Sequence, residues 1–159
     1  MEANDTEYYI HIIIIYLNIN YKNLNILYLY SIMDTKQYLN DMKPTINEII
    51  SNQKYKTHYK MYGKRYNKWQ IPIILIHGGP GATHKYFKPI IPLIEYIGPI
   101  IVYDQIGSGK STSFYKISTL TLKDYVNQLT NLLEHLKIEK CHLFGHSWGT
   151  ILALEYYLK

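Results

Sequence analysis

Gly145-His146-Ser147-Trp148-Gly149 follows a short apolar run, Cys141 to Phe144, and leads directly into a helix-forming run from Thr150 to Lys159. A serine in that position sits on a strand-to-helix elbow. As the chain reverses there, side chains two places before and two places after the serine would collide, so both places call for glycine. Gly145 and Gly149 fill them. Such a turn stores roughly 1–3 kcal/mol of backbone strain, which the packing of strand and helix must hold, and it leaves the hydroxyl exposed above a sheet. Glycine and serine are common enough for a linker to match this pattern by chance; the flanking strand and helix patterns are what favour a nucleophile on an elbow.

A second motif lies upstream. The run Ile71-Pro72-Ile73-Ile74-Leu75-Ile76 reads as a fully buried strand and ends in His77-Gly78-Gly79-Pro80-Gly81. Acyl-transfer chemistry requires backbone N–H donors aimed at an oxygen that becomes negative, and glycines let the backbone approach a substrate closely. Pro80 has no N–H, which leaves Gly78, Gly79 and Gly81 as donors. The same residues also make a plain turn, and this reading stands beside the functional one.

A third segment, Asp104-Gln105-Ile106-Gly107-Ser108-Gly109-Lys110-Ser111-Thr112, ends like a phosphate-binding loop and follows the apolar run 99–103. The match fails at Asp104, which stands where that pattern needs glycine and would repel a phosphate. It fails again after Thr112, where residues 112–119 are poor helix material for an anion-binding helix N-terminus. The next helix is expected near Thr121, with Asp124 three residues on as its capping partner. The segment is therefore expected to be a structural turn beside the active site, and a P-loop nucleotide binder is disfavoured.

In order and spacing, the histidine-glycine-glycine-proline-glycine loop, the Asp104–Ser111 segment and the glycine-histidine-serine-tryptophan-glycine elbow resemble the proline iminopeptidases of the α/β-hydrolase superfamily. The resemblance covers roughly residues 55–159; esterases and epoxide hydrolases of this fold usually carry other versions of these motifs. It implies a serine hydrolase that releases N-terminal proline from short peptides through an acyl-enzyme on Ser147, without metal or cofactor. It also implies that the N–H groups of Gly79 and Trp148 form the oxyanion hole. His77, Gly78, Pro80, Gly81, Asp104, Gln105, Gly107, Gly109, Gly145, His146 and Gly149 then support the loops. Ile106 departs from the pattern, which most often has arginine there. A general esterase of the same fold is the alternative reading.

In this fold the triad runs serine, acid, histidine along the chain. Twelve residues follow Ser147, with Glu155 as their one acidic residue and no histidine. His77, His84, His135, His142 and His146 all precede the expected place; His77 and His146 are expected to brace the motif turns, and His135 and His142 to lie at the surface or a strand end. The expectation is the N-terminal half of an α/β-hydrolase fold, without its cap domain and C-terminal half, inactive by itself or a non-catalytic remnant. The strand ending at Phe144 would then present an open, apolar edge.

Alternating strand and helix patterns from residue 36 onward predict a mainly parallel sheet with helices on both faces. The expected elements are a helical stretch from 36 to about 51 broken at Pro44, a strand at 57–62, the strand 71–76, a helix from His84 to Tyr96, the strand 100–103, a helix at 121–137 and the strand 141–144. The helix 121–137 is the clearest: Leu122, Tyr125, Val126, Leu129, Leu132, Leu133 and Leu136 recur at steps of three and four on one core-facing side.

Residues 1–35 read as a low-complexity N-terminal segment, poorly ordered. Its apolar run of about ten residues is short of the roughly 20 needed to span a bilayer, and Glu2, Asp5 and Glu7 precede it where a secretory signal wants positive charge. A degenerate targeting segment stays open, and Met33 is an alternative start. The chain carries a net charge of +5, yet no compact arginine-rich stripe accompanies it, and its lysine, asparagine, isoleucine and 18 tyrosines share A/T-rich codons. Nucleic acid is not an expected partner. The single cysteine, Cys141, excludes an internal disulfide and fits a reducing, cytoplasmic setting.

Overall fold

The computed structural model describes residues 11–12, 42–63, 71–79, 81–93 and 98–159. Apart from His11 and Ile12, the segment 1–35 and the alternative start at Met33 lie outside the described residues, as does Pro80. Among the described residues are seven strands: β1 (His11–Ile12), β2 (Ile46–Ser51), β3 (Tyr55–Tyr62), β4 (Ile73–Ile76), β5 (Ile100–Tyr103), β6 (Thr112–Ser113) and β7 (His142–Gly145). Two α-helices, α1 (Leu122–His135) and α2 (Trp148–Tyr157), and a 3-10 helix (His84–Leu93) cover the sheet.

The sheet runs in the order β1-β7-β4-β5-β3-β2, with β6 beside β3. Its β1, β7, β4 and β5 are parallel neighbours, whereas β3 is antiparallel to β5, β2 and β6. Alternation along the central strands sends side chains to two cores. Ile74, Ile76, Ile101, Tyr103 and Leu143 point into the larger one, which α1 closes with Val126, Leu129, Leu132 and Leu133, and α2 with Leu152 and Ala153. Leu75, Ile100 and Val102 point to the opposite face, where Phe87 and Ile91 of the 3-10 helix cover them. The expected layering with helices on both faces is therefore present, as is the start of α1. Thr121 and Asp124 form a reciprocal capping box, with the Asp124 carboxylate accepting from the Thr121 N–H at 2.8 Å.

Three expectations need correction. The expected helix running to about residue 51 is, over its described part, the strand β2. Ile46 and Ile50 pack against the core while the backbone pairs residue by residue with β3, so strand pairing overrides a weak helical pattern. The helix from His84 is a 3-10 helix, because Pro89 and Pro92 inside it lack the N–H groups an α-helix would use. Thirdly, the outer edge of β7 is not wholly open, since His11 and Ile12 pair in parallel with His142 and Leu143. α2 also starts at Trp148, two residues earlier than the pattern suggests.

Candidate active site

Ser147 links the end of β7 to the first residue of α2 with φ 52° and ψ −122°. Apart from Lys137 it is the one non-glycine residue with positive φ among the described residues, and that conformation is the strain expected of the elbow. The residue is exposed. Among the described residues no hydrogen bond engages its hydroxyl, and it does not cap the helix it precedes. The two flanking glycines are required by space. A Cβ on Gly145 would lie 2.5 Å from the Gly149 carbonyl oxygen and 2.6 Å from Thr150 Cα, and one on Gly149 would strike the Ile76 carbonyl oxygen at the end of β4. The loop after β4 comes equally close, for a Cβ on Gly78 would sit 2.9 Å from Ser147 Cβ.

That proximity brings the second motif to the serine. Of its possible donors, the Gly78 N–H is already given to the Tyr86 hydroxyl at 2.5 Å. Tyr86 in turn lies 3.2 Å from Nδ1 of His146, so one phenol joins the 3-10 helix, the glycine loop and the elbow. The Gly79 N–H and the Trp148 N–H have no acceptor among the described residues. Gly79 adopts φ +108°, where a Cβ would also collide with the Ala82 N–H at 2.7 Å, so only glycine fits.

Behind these loops lies a buried polar layer. His77 is fully buried; its Nδ1–H donates to the Gly78 carbonyl at 2.8 Å, and its Nε2 accepts the Gln105 N–H at 2.9 Å. With both nitrogens so engaged the ring is neutral, and burial pushes its pKa below the ordinary histidine value. The Gln105 side chain reaches both motifs. Its Nε2 donates to the His77 carbonyl at 2.5 Å, and its Oε1 accepts from the Trp148 indole at 3.0 Å.

Asp104 is the second hub, 1% exposed. Its Oδ1 accepts from the His84 N–H and Nδ1 at 3.1 and 2.7 Å; its Oδ2 accepts from His58 Nδ1 at 3.0 Å and the Lys110 N–H at 3.1 Å. Burial alone would raise the carboxyl, but these donors outweigh it and hold it well below the usual carboxylate range. His58, by contrast, is lowered by burial, its other nitrogen lying 2.9 Å from the Asn47 carboxamide. His58, His84 and Asp104 form a cluster with ligand atoms within 4.8 Å, close enough to hold a metal ion. With four N–H donors already on its two oxygens, the carboxylate serves as a structural knot instead.

The knot also occupies the turn that resembles a phosphate-binding loop. Gly107 and Gly109 turn with φ +79° and +55°, and the concavity that they shape is filled by the chain's own Asp104 carboxylate, against which a Cβ on Gly109 would collide. After it the chain enters β6, beside β3, and not a helix. Ile106, at the position that departs from the family pattern, is buried in the larger core.

The structure thus brings together His77, Gly78, Gly79, Asp104, Gln105, Gly145, His146, Ser147, Trp148 and Gly149. Gly81 turns beside Gly79 with open space around it, nothing lying within 4 Å of the place its Cβ would take. Sequence reading missed three participants. His58 and Tyr86 carry no motif signal. Gln128, at 0% exposure, occupies a core position of α1, where its carboxamide accepts from the Ile106 N–H and donates to Thr57 and the Asp104 carbonyl. A polar residue within the leucine face was the available sign.

Residues 71–159, more than half the chain, match the family model described as alpha/beta hydrolase fold. Over 104 residues the chain is 44% identical to a proline iminopeptidase of Lactobacillus crispatus (strain ST1), covering 64% of this chain and 35% of that protein. It is 36% identical over 102 residues to a proline iminopeptidase of Clostridium botulinum, covering 64% and 34%. The chain thus spans about a third of the length of these curated relatives. Among solved structures, VinJ superposes with a TM-score of 0.66 at 33% identity over 72% of this chain and 39% of that one. The proline iminopeptidase of Mycobacterium smegmatis superposes at 0.63 and 29%, over 70% and 38%. With its elbow, glycine loop and layered sheet in place, the chain belongs to the alpha/beta hydrolase fold family.

Proposed function

We propose that this chain carries the nucleophile and oxyanion hole of a serine peptidase that removes N-terminal proline from short peptides. The observation that carries the reading is the exposed, backbone-strained Ser147, its hydroxyl unengaged among the described residues, beside two N–H groups, of Gly79 and Trp148, that lack an acceptor. The relatives named proline iminopeptidase favour proline as the acyl group.

In this reading Ser147 Oγ attacks the carbonyl carbon of the N-terminal proline and gives its proton to a general base. The carbonyl oxygen, now negative, is held by the N–H groups of Gly79 and Trp148, an arrangement in which one donor is worth on the order of 10²–10³ in rate. The tetrahedral intermediate collapses by breaking the C–N bond, the leaving amine takes the proton, and a prolyl ester on Ser147 remains for water to hydrolyse. No described histidine is hydrogen-bonded to Ser147, so the base comes from outside the described residues.

In a polypeptide that contains this chain and supplies the base, a fluorophosphonate probe, followed by peptide mass mapping, is expected to modify Ser147, and Ser147→Ala to abolish the adduct. Release of chromophore from a prolyl anilide should follow the same serine in any polypeptide that contains this chain and supplies the base. Labelling that persists in Ser147→Ala would overturn the assignment.

A further inference from the structure

We infer that Gln105 is a positioning residue that couples the two halves of the oxyanion hole through a single carboxamide. The inference rests on the reading of Gly79 and Trp148 as the oxyanion donors. One end of the carboxamide donates to the carbonyl of His77, two residues before Gly79; the other accepts from the indole of Trp148, the residue whose backbone N–H is the second donor. No other side chain described here bonds to both segments by its two ends in this way.

The orientation of the group is not ambiguous. An indole N–H can only donate and a peptide carbonyl can only accept, so the oxygen must face Trp148 and the nitrogen must face His77. The residue is 2% exposed, its backbone N–H is bound to His77 Nε2, and its own carbonyl accepts from Ser108. It therefore cannot swing aside to water. The two donors sit on different elements, one after β4 and one at the start of α2; Tyr86 and the His146 N–H to Ile76 carbonyl bond hold these segments from Gly78 and His146, and the carboxamide adds the tie that reaches Trp148 itself. A displacement of about 1 Å at a reacting centre costs on the order of 10²-fold in rate.

Glutamine at this place is replaceable by a carboxylic acid but not by a carboxylate. The acid has one O–H for the His77 carbonyl and one oxygen for the indole, whereas the ion sets two oxygens against each other in a buried site. Around it, the titratable groups are His77 in direct contact, then Asp104 with its partners His58 and His84 next along the chain.

The test is made on a polypeptide that contains this chain and supplies the general base, with Gln105→Leu and Gln105→Glu. Its first readout is hydrogen exchange of the Trp148 indole N–H by NMR, assigned with Trp148→Phe. Its second is the rate at which a fluorophosphonate labels Ser147, taken at each pH as a ratio to the unsubstituted chain, so that changes common to both cancel. Gln105→Leu should speed indole exchange and lower labelling by about 10- to 100-fold. Gln105→Glu should show the same deficit at pH 8 and return to within about threefold of the unsubstituted chain at pH 5.5, a recovery that a general loss of packing would not produce. A Gln105→Leu chain with unchanged indole exchange, or one labelled within twofold of the unsubstituted chain, overturns the clasp. So does a Gln105→Glu ratio that is flat with pH. An unsubstituted chain that is never labelled at Ser147 overturns instead the nucleophile reading, and this role for Gln105 with it.

Discussion

Gly145→Ala isolates the steric demand of the elbow, because Gly145 does not need a positive φ and an alanine there meets no backbone penalty of its own. The added methyl would stand 2.5 Å from the Gly149 carbonyl oxygen, 2.6 Å from its carbon and 2.6 Å from Thr150 Cα. Relaxed contacts lie near 3.5 Å, so the first turn of α2 must retreat from β7 by about 1 Å. All three obstacles are backbone atoms of one helix, so no rotamer change relieves them. Overpacking of this kind costs about 1–3 kcal/mol, and the upper end applies. At about 2–4 °C per kcal/mol for a chain of this size, the melting temperature followed by circular dichroism should fall by roughly 6–12 °C. The retreat also carries the Trp148 N–H with it, so in a polypeptide that supplies the base, fluorophosphonate labelling of Ser147 should drop by on the order of 10²-fold. Gly81→Ala is the comparison. It has φ +99° but open space around it, so it costs about 1–2 kcal/mol of backbone strain and leaves labelling near normal. A Gly145→Ala chain that melts within 2 °C of the parent, or that labels as well as Gly81→Ala does, would refute the steric account of the elbow.

Acid should destabilise the chain in two stages, read as the denaturant midpoint against pH. His58 and His77 are held below their unfolded values by burial, so the unfolded chain binds more protons and stability falls as pH drops below about 6.5. Asp104 is depressed in the fold, so its contribution is intact above about pH 4 and is lost below it; Asp104→Asn should remove this second stage while lowering stability at neutral pH. The Tyr103 hydroxyl is buried without a partner among the described residues, so Tyr103→Phe should raise the melting temperature, by about 1 kcal/mol of stability. Cys141 is buried and pushed up to about 12, so alkylation at pH 8 should be negligible in the folded chain and rapid in denaturant.

The parts of the site that a sequence can reveal are those whose chemistry is local. Gly145, Ser147 and Gly149 form an elbow through steric rules acting within five residues, and Thr121 with Asp124 forms a cap within four; both were legible. The strand 100–103 could be placed because its continuous apolar run is buried on both faces, and 141–144 because a short, mostly apolar run leads straight into the elbow. β2 could not: Ile46 and Ile50 have a spacing that suits a helix, and only the pairing of that segment with β3 decides against it. The same limit applies to Asp104. Its place in the motif marked it as a loop residue, but its partners His58 and His84 come from another strand and from the 3-10 helix. Tyr86 meets Gly78 and His146 only once the β4 loop and the elbow are docked side by side.

The segment Asp104–Ser111 closes on itself through local bonds, such as Ser111 Oγ to the Asp104 carbonyl, and is tied to the rest of the fold by side chains from afar. Asp104 reaches His58 across 46 positions, Gln128 reaches Ile106 across 22, and Trp148 reaches Gln105 across 43. None of these ties can form until the strands and α1 have met, whereas α1 with its cap can form locally. Its ordering therefore belongs to the late side of the folding barrier. Truncating Gln128 should leave the folding limb of a chevron plot nearly unchanged and steepen the loss through faster unfolding, a φ-value near zero. The loops that hold the candidate catalytic serine would then be the first to loosen from the native state, and the sheet beneath them the last.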